Sequence, residues 1–306
     1  MSRLFSAYVI VDWSAATKPT TGADSVWIGV VKRDVRFRLT YESFNPPTRQ
    51  EAETKLAAIL DDLKKRGERA LVGFDFPLGF PRGVTAALSL KGEHPWRAVW
   101  DQLAKMVKDK ADNTNNRFGV GSELNRRLTG GPFPFWGCPP KDTLTTLQPK
   151  KTREHGPGDL PEFRHADLAA QPSKKGGGAA SIWKLYYNGS VGGQAIVGIP
   201  AARRLRDARG DAARVWPFET GFKALAEADL EGVQVVIAEV YPSLVKATPA
   251  PGEVKDAAQV RALAEHFAKL DEAGKLAALF GPGKGMAEDV VRDAETEEGW
   301  ILGAAV

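Results

Sequence analysis

Cysteine is almost absent from this sequence of 306 residues, since Cys138 is the only one. A single cysteine excludes an intramolecular disulfide and a zinc site built from several thiolates. The histidines, at positions 94, 155, 165 and 266, show no spacing typical of metal ligands. A metal ion in this protein would therefore be bound mainly by oxygen atoms.

Long apolar runs are also missing. No stretch approaches the roughly 20 apolar residues that cross a bilayer, and the run at residues 7–11 leads directly into Asp12. The first residues contain no long apolar segment followed by a small-residue cleavage site, which is the pattern of a secretory signal. We therefore expect a cytoplasmic protein with no membrane segment.

The charges form no block of one sign, yet they are unevenly distributed around a net charge of +4. Residues 111–212 carry 15 basic and 9 acidic side chains, whereas residues 213–306 carry 9 and 16. A basic segment is compatible with a phosphate-bearing partner, and an acidic one with carboxylates that hold cations. Two differently solvated surfaces would give the same distribution.

Short apolar segments rich in β-branched residues predict strands at 7–11, 25–33, 37–44 and 70–74. Between the third and fourth of them, Thr48 and a helical apolar repeat up to Gly67 predict a capped helix. A further helix is predicted at 95–110, strands at 214–218 and 233–240, and closing helices at 255–280 and 286–305. The element order indicates an α/β protein with a mixed sheet.

Residues 111–198 are rich in glycine, proline and loop-forming sequence. Because so long a loop is unusual inside a compact domain, we interpret this segment as an inserted lobe between the two parts of one domain, 1–110 and 199–306. Within it, residues 189–194 contain enough glycine to cradle a phosphate but lack the ending of a P-loop. We interpret them as a mobile loop, and regular structure is predicted to resume as a helix at Ile199-Pro200.

Three predicted strands each end in or near a carboxylate, namely Asp12, Asp75 and Glu239. The carboxyl ends of parallel strands line the crevice in which α/β proteins bind ligands, so these acids are expected to converge. Clustered buried carboxylates need cations, and oxygen ligands favour Mg²⁺ or Mn²⁺. Each acid taken alone would equally suit a helix cap or an ion pair.

A fourth acid is sought on the last predicted helix, where Glu298 falls on the apolar face and Glu297 lies about 100° around the axis. Asp256 stands where a helix should begin, which favours a capping role. Basic side chains of the predicted lobe are candidates for holding a nucleic-acid backbone: Lys150, Lys151, Arg153 and Lys184.

Four short segments carry a family resemblance: VDWSA at 11–15, GFDFPLGFP at 73–81, AEVYP at 238–242 and EEGWIL at 297–302. Together they resemble the family of unknown function number 429, whose members are predicted to be ribonuclease-H-like nucleases. The resemblance covers the first 80 residues and roughly the last 95. It implies a ribonuclease-H-like mixed sheet, in the order β-β-β-α-β-α-β-α with a large loop-rich insertion here, and metal ligation by Asp12, Asp75, Glu239 and Glu298. Where the family pattern favours Asp followed by Ala, this chain has Glu-Glu-Gly-Trp, so Glu297 and Glu298 both stay open as the last acid.

The leading functional hypothesis is hydrolysis of a phosphodiester by two Mg²⁺ or Mn²⁺ ions about 4 Å apart, bridged by Asp12. Its substrate would be nucleic acid or a phosphate-bearing small molecule. One alternative is an ATP-dependent phosphotransferase of the actin and sugar-kinase type, although Asp12 is followed by Trp13-Ser14 and not by a glycine-rich turn. Another is a non-catalytic binding protein whose acids hold metal structurally.

Overall fold

The computed structural model describes residues 3–170 and 179–304. The strands are β1 (Ala7–Asp12), β2 (Trp27–Arg33), β3 (Leu39–Phe44), β4 (Ala70–Phe74), β5 (Ala213–Val215) and β6 (Val235–Glu239). The helices are α1 (Arg49–Lys65), α2 (Val84–Ala87), α3 (Pro95–Met106), α4 (Arg117–Leu128), α5 (His165–Ala169), α6 (Gly192–Arg209), α7 (Lys255–Glu272) and α8 (Glu288–Asp293).

The strands form one six-stranded mixed sheet in the order β3-β2-β1-β4-β6-β5. β2 runs antiparallel to both β1 and β3, whereas β1, β4, β6 and β5 are mutually parallel. The predicted α/β class with a mixed sheet is confirmed. Its parallel half brings the ends of β1, β4 and β6 to the same edge.

Alternate residues of the central strands enter two different hydrophobic cores, one on each face of the sheet. Val9 of β1 packs in the core that includes side chains of α1, α3, α4 and α6. Its neighbour Ile10 packs in the core formed with α7 and the last segment of the chain. Burial on both faces explains why these strands are apolar throughout.

Helix α1 begins as its sequence predicts. Thr48 is the N-cap residue, and its hydroxyl oxygen accepts a hydrogen bond from the backbone N–H of Glu51 at 3.2 Å. Lys64 and Lys65 occupy the last turn, where basic side chains interact favourably with the helix dipole.

The segment predicted to be an inserted lobe contains α4, α5 and the start of α6. The loop-rich interpretation was wrong for α4, whose Val120 and Leu124 lie one turn apart and are buried. These side chains, together with Phe135 and Trp183, pack in the same core as α1 and α3. The segment thus contributes directly to one face of the sheet.

Two helix boundaries also differ from the prediction. Helix α6 begins at Gly192, so the supposed mobile loop ends in its first turn and Pro200 lies inside the helix. The last predicted helix is short: α8 ends at Asp293 and continues as one wide π-type turn to Glu298. Gly299, with φ of +69°, ends this turn.

Within residues 3–170 and 179–304, the structure contains no helix that combines the length and apolar character required to span a membrane.

Candidate active site

The site begins with Asp12 and Asp75, which we call the acid pair. β1 and β4 are adjacent and parallel, with Val11 opposite Phe74. Asp12 follows Val11 and Asp75 follows Phe74, so the two aspartate side chains lie next to each other at the strand ends. The backbone N–H of Trp13 donates to Oδ1 of Asp75 at 2.7 Å and fixes the second carboxyl group.

Burial raises the pKa of both members of the acid pair. Burial raises the pKa of Asp12 well above its ordinary value, and repulsion by Asp75 raises it further. Burial likewise raises the pKa of Asp75 to about 6, against the lowering effect of hydrogen bonds from Asp12 and from the Trp13 backbone. The pKa of Asp12 is raised more strongly than that of Asp75, so the electrostatics of the pair favour protonation of Asp12.

The acid pair lies in a cavity of about 1160 Å³, the central cavity. Two further aspartates line it, and the backbone N–H of Asp24 donates to Oδ2 of Asp256 at 2.9 Å. Both carboxylates contribute to the raised pKa of Asp12. Asp256 thus bonds the β1–β2 connection, whereas Val254 occupies the N-cap position of α7 that we expected for Asp256.

Glu239 also reaches the central cavity, but it already has a counter-ion. It ends β6, directly opposite Phe74 of β4. The guanidinium of Arg164 donates to both carboxylate oxygens of Glu239, at 2.6 and 2.7 Å, and the backbone N–H of Leu78 adds a third hydrogen bond. Burial raises the pKa of Glu239, while Arg164 opposes that shift.

Arg164 is fully buried and joins two acids. Its second partner is Asp167, with Nη2 donating to Oδ1 at 2.7 Å. Fork-shaped pairing of this kind is the geometry that guanidinium groups favour. Glu239 is therefore held in an ion network (Arg164, Asp167 and Glu239) in the wall of the cavity, and sequence reasoning missed this partner.

The structure places Glu298 elsewhere. Its carboxylate is 0% exposed and accepts hydrogen bonds from the backbone N–H groups of Arg82 (2.9 Å) and His165 (2.7 Å). Glu297 similarly accepts from the backbone N–H groups of Gly83 and Thr85. Both acids thus organise the loop after β4 and the first turns of α2 and α5, and neither is among the residues that line the central cavity.

This position of Glu298 gives a stability prediction. Glu298→Ala is expected to destabilise the protein by about 2–4 kcal/mol, because two buried N–H donors would lose a charged acceptor. Urea unfolding followed by fluorescence measures the change, and Glu288→Ala on the exposed side of α8 is the matched control. The Mn²⁺ affinity of the folded variant should equal that of the wild type. A stable Glu298→Ala protein with weakened Mn²⁺ binding would instead assign Glu298 to a metal site.

The basic residues predicted to hold a nucleic-acid backbone do not line the central cavity. Lys151 pairs with Glu154 and Glu162, and Arg153 pairs with Asp159. The ammonium group of Lys184 donates to the backbone carbonyl of Asn188 at 2.6 Å, and Lys150 is exposed. That prediction of substrate-binding residues therefore finds no support in the geometry of the cavity.

The cationic side chains that do line the central cavity are Lys18, Arg117 and Arg164. Arg117 lies at the start of α4 and is 5% exposed. Burial lowers its pKa to about 10, and the nearby charge of Arg49 adds to the effect. It is still protonated at neutral pH, so it places a positive charge in the cavity that the acids line.

The donor chemistry of the acid pair fits a hard divalent cation, because two neighbouring carboxylates that repel each other would bind one favourably. In the described part of the chain, no group of three or more His, Cys, Asp or Glu side chains is close enough to hold a metal ion. Asp12 and Asp75 are thus the two principal candidate ligands. Asp24 and Asp256 are the nearest acids in the same cavity.

No protein-family model, curated protein sequence or solved structure matches this chain.

Proposed function

We propose that this protein is a metal-dependent phosphodiester hydrolase of the ribonuclease-H-like type. The observation that carries the proposal is the acid pair, two buried carboxyl groups with raised pKa values at the ends of adjacent parallel strands that face a cavity large enough for a nucleotide. The strand order supports it, since three leading antiparallel strands are followed by a helix and a parallel strand beside β1.

The proposed ligand set is smaller than the one that the resemblance implies. Asp12 and Asp75 would hold Mg²⁺ or Mn²⁺, with Asp24 and Asp256 available at the cavity wall. Glu239 would support the site by fixing Arg164 in the cavity wall. Glu298 would support it by holding the backbone N–H groups of Arg82 and His165. When bound, a divalent ion lowers the pKa of a coordinated water and stabilises charge on phosphate oxygens.

The chain's own residues would position the reaction. The Trp13 backbone N–H keeps Asp75 in place, and both acids must be deprotonated before a cation can bind both carboxylates. Metal affinity is therefore expected to rise with pH, first as Asp75 ionises at a pKa of about 6 and further as Asp12, whose pKa is also raised, loses its proton. Arg117 supplies a positive charge in the same cavity, suitable for a phosphate.

The test is an assay of purified protein with labelled single-stranded and duplex DNA, RNA and hybrid, in Mn²⁺, Mg²⁺ or chelator. We expect cleavage in metal, none in chelator, and a rate that increases from pH 5 to pH 8. Mn²⁺ affinity, measured by calorimetry at the same pH values, should follow the same trend. Turnover in chelator would contradict the proposal, and so would tight Mn²⁺ binding that is unchanged in Asp12→Asn.

A phosphotransferase would instead bind ATP and transfer its terminal phosphate. Its signature in the same experiment is release of ADP without cleavage of any nucleic acid. Metal-dependent thermal stabilisation with no turnover of either kind would favour a binding protein.

A further inference from the structure

Arg117 differs from the other deeply buried arginines of the described chain in lacking a carboxylate. Arg49 pairs with Asp109, and Arg164 pairs with Asp167 and Glu239. No acidic side chain of residues 3–170 and 179–304 lies within 4 Å of the Arg117 guanidinium. Its Nη1 donates to Oδ1 of Asn115 at 3.0 Å, whereas its Nε is buried without any hydrogen-bond partner in that part of the chain.

An unpaired buried cation is unfavourable, and the surroundings of Arg117 offset its burial only in part: the charge of Asp142 attracts the guanidinium without forming an ion pair with it, and Nε stays without a partner. The guanidinium stacks on the ring of Phe118, 4.3 Å from the ring centroid, which gives only a weak attraction. Arg49 adds repulsion. An anion in the central cavity would provide the missing partner.

The guanidinium lies against the N-terminal end of α6, an 18-residue helix. A Cβ at Gly193 would stand 3.3 Å from Nε of Arg117 and 2.6 Å from the carbonyl oxygen of Leu185, so only glycine fits between them. Val191, the N-cap residue, provides no side-chain cap. The backbone N–H groups of Gly193 and Gln194 have no acceptor among the described residues.

This end of α6 faces the same cavity as the acid pair. Arg117, Val191 and Gln194 all line the central cavity. The side-chain amide of Gln194 donates to the backbone carbonyl of Trp13, whose own N–H donates to Asp75. Trp13 therefore connects the first turn of α6, which carries the free N–H groups and contacts the Arg117 guanidinium, to Asp75, a proposed metal ligand.

We propose that Arg117 and the first turn of α6 form a phosphate-binding subsite, which holds one phosphate group of a nucleotide or nucleic-acid strand. The subsite deepens the proposed function, since the phosphate would be anchored beside the acid pair. Helix N-termini and guanidinium groups are both favourable partners for phosphate oxygens. Tyr186 and Tyr187, partly exposed on the same cavity wall, are available to stack on a base.

The test measures binding without turnover. Wild-type protein in chelator is titrated with inorganic phosphate and with a nucleoside monophosphate, by calorimetry and by thermal shift. Arg117→Met is expected to weaken both at least ~10-fold, because it removes a charge-assisted contact. Arg126→Met removes the same charge from an exposed position on α4 and should bind like the wild type.

The stability of the ligand-free variants separates a binding role from a structural one. Without phosphate, Arg117→Met should melt at or above the wild-type temperature, because an unpaired buried charge has been removed. Gln194→Glu is an independent second variant, in which a carboxylate occupies the end of α6 and competes with phosphate. It should also lose affinity at least ~10-fold. Because glutamate cannot donate the hydrogen bond to the Trp13 carbonyl, the melting temperature of Gln194→Glu without phosphate is measured beside its affinity to show that the variant is folded.

Equal phosphate affinity of wild type, Arg117→Met and Gln194→Glu would overturn the subsite. A wild-type protein that binds neither probe would also overturn it. These readouts do not need metal or cleavage, so the subsite can fail while metal-dependent hydrolysis holds. Phosphate binding without cleavage of any substrate would keep the subsite and reject the proposed hydrolase.

Discussion

Asp75→Asn is expected to lower the rate of metal-dependent cleavage by at least ~100-fold. The substitution removes one of the two carboxylates that face the proposed metal position, while asparagine Oδ1 can still accept the hydrogen bond from the Trp13 backbone. The fold around the strand ends should therefore be retained. Single-turnover cleavage at saturating Mn²⁺ measures the loss, and calorimetry should show a parallel loss of Mn²⁺ affinity.

The same substitution is expected to stabilise the metal-free protein at pH 8. Folding raises the pKa of Asp75 from 3.8 to about 6, so the folded state binds a proton that the unfolded chain releases. This contribution to stability is present below about pH 4 and is lost as the pH rises through 6. Asparagine cannot ionise, so Asp75→Asn should gain about 1–3 kcal/mol over the wild type at pH 8, and the advantage should disappear at pH 4.

Thermal melts in chelator at pH 4, 6 and 8 test this sign. Asp62→Asn, on the exposed face of α1, makes the same chemical change away from the central cavity and should show no such dependence. Mn²⁺ should raise the melting temperature of the wild type and leave that of Asp75→Asn unchanged. A variant that is less stable than the wild type at pH 8 would mean that the acid pair is not under electrostatic strain.

Much of the sheet could be predicted because its signals are local. The runs that become β1 and β4 are apolar, short and followed at once by aspartate, so the sequence itself places Asp12 and Asp75 at strand ends. Their proximity then follows from the pairing of parallel strands. The capping role of Thr48 could be predicted equally well, because a capping residue contacts a backbone group only three positions away.

The rest of the site depends on contacts that are distant in sequence. Arg164 lies 75 residues before Glu239, and no spacing rule links them. Glu298 falls on an apolar helical face, yet its neighbours there are backbone N–H groups of the loop after β4, 216 residues earlier. A periodicity argument identifies a buried acid but cannot distinguish a metal ligand from an acceptor of backbone hydrogen bonds.

The start of α6 is a second place where the prediction from sequence failed because the deciding contacts are not local. A glycine-rich segment is typical of a flexible loop, but Gly193 lies in a helix, and glycine is required there because the Leu185 carbonyl and Arg117 leave no room for a side chain. Its neighbour Gly192 packs equally closely on the Ile182 carbonyl. The sequence feature that could have indicated this structure is the glycine pair before an apolar helix, which is also typical of phosphate-binding turns.

The second large effect is expected at Arg164. Arg164→Met would leave Glu239 and Asp167 buried without a counter-ion, and removing one partner of a buried ion network costs about 3–5 kcal/mol. The melting temperature at pH 7 should fall by roughly 5–10 °C. Arg204→Met is the matched control, because its pair with Glu53 is exposed and should contribute less than about 1 kcal/mol.

The pH dependence of that loss identifies its cause. Without Arg164, the pKa of Glu239 would rise further, because burial then acts without the opposing guanidinium. Below about pH 4 both the folded and the unfolded chain would carry a protonated Glu239, so the destabilisation should shrink as the pH falls. Adding Glu239→Gln to Arg164→Met should likewise recover part of the stability, whereas a loss caused by poor packing would be independent of pH and would not be rescued.

The same variants decide how Glu239 serves the site. If Glu239 is the partner of Arg164, the double variant should bind Mn²⁺ with the affinity of the wild type, since Asp12 and Asp75 remain. If Glu239 is instead a metal ligand whose oxygens Arg164 blocks in the metal-free protein, Arg164→Met should bind Mn²⁺ more tightly, and Mn²⁺ should restore the stability of this variant. The bidentate contact and the third hydrogen bond from Leu78 leave the carboxylate of Glu239 with few free lone pairs, which favours the first outcome.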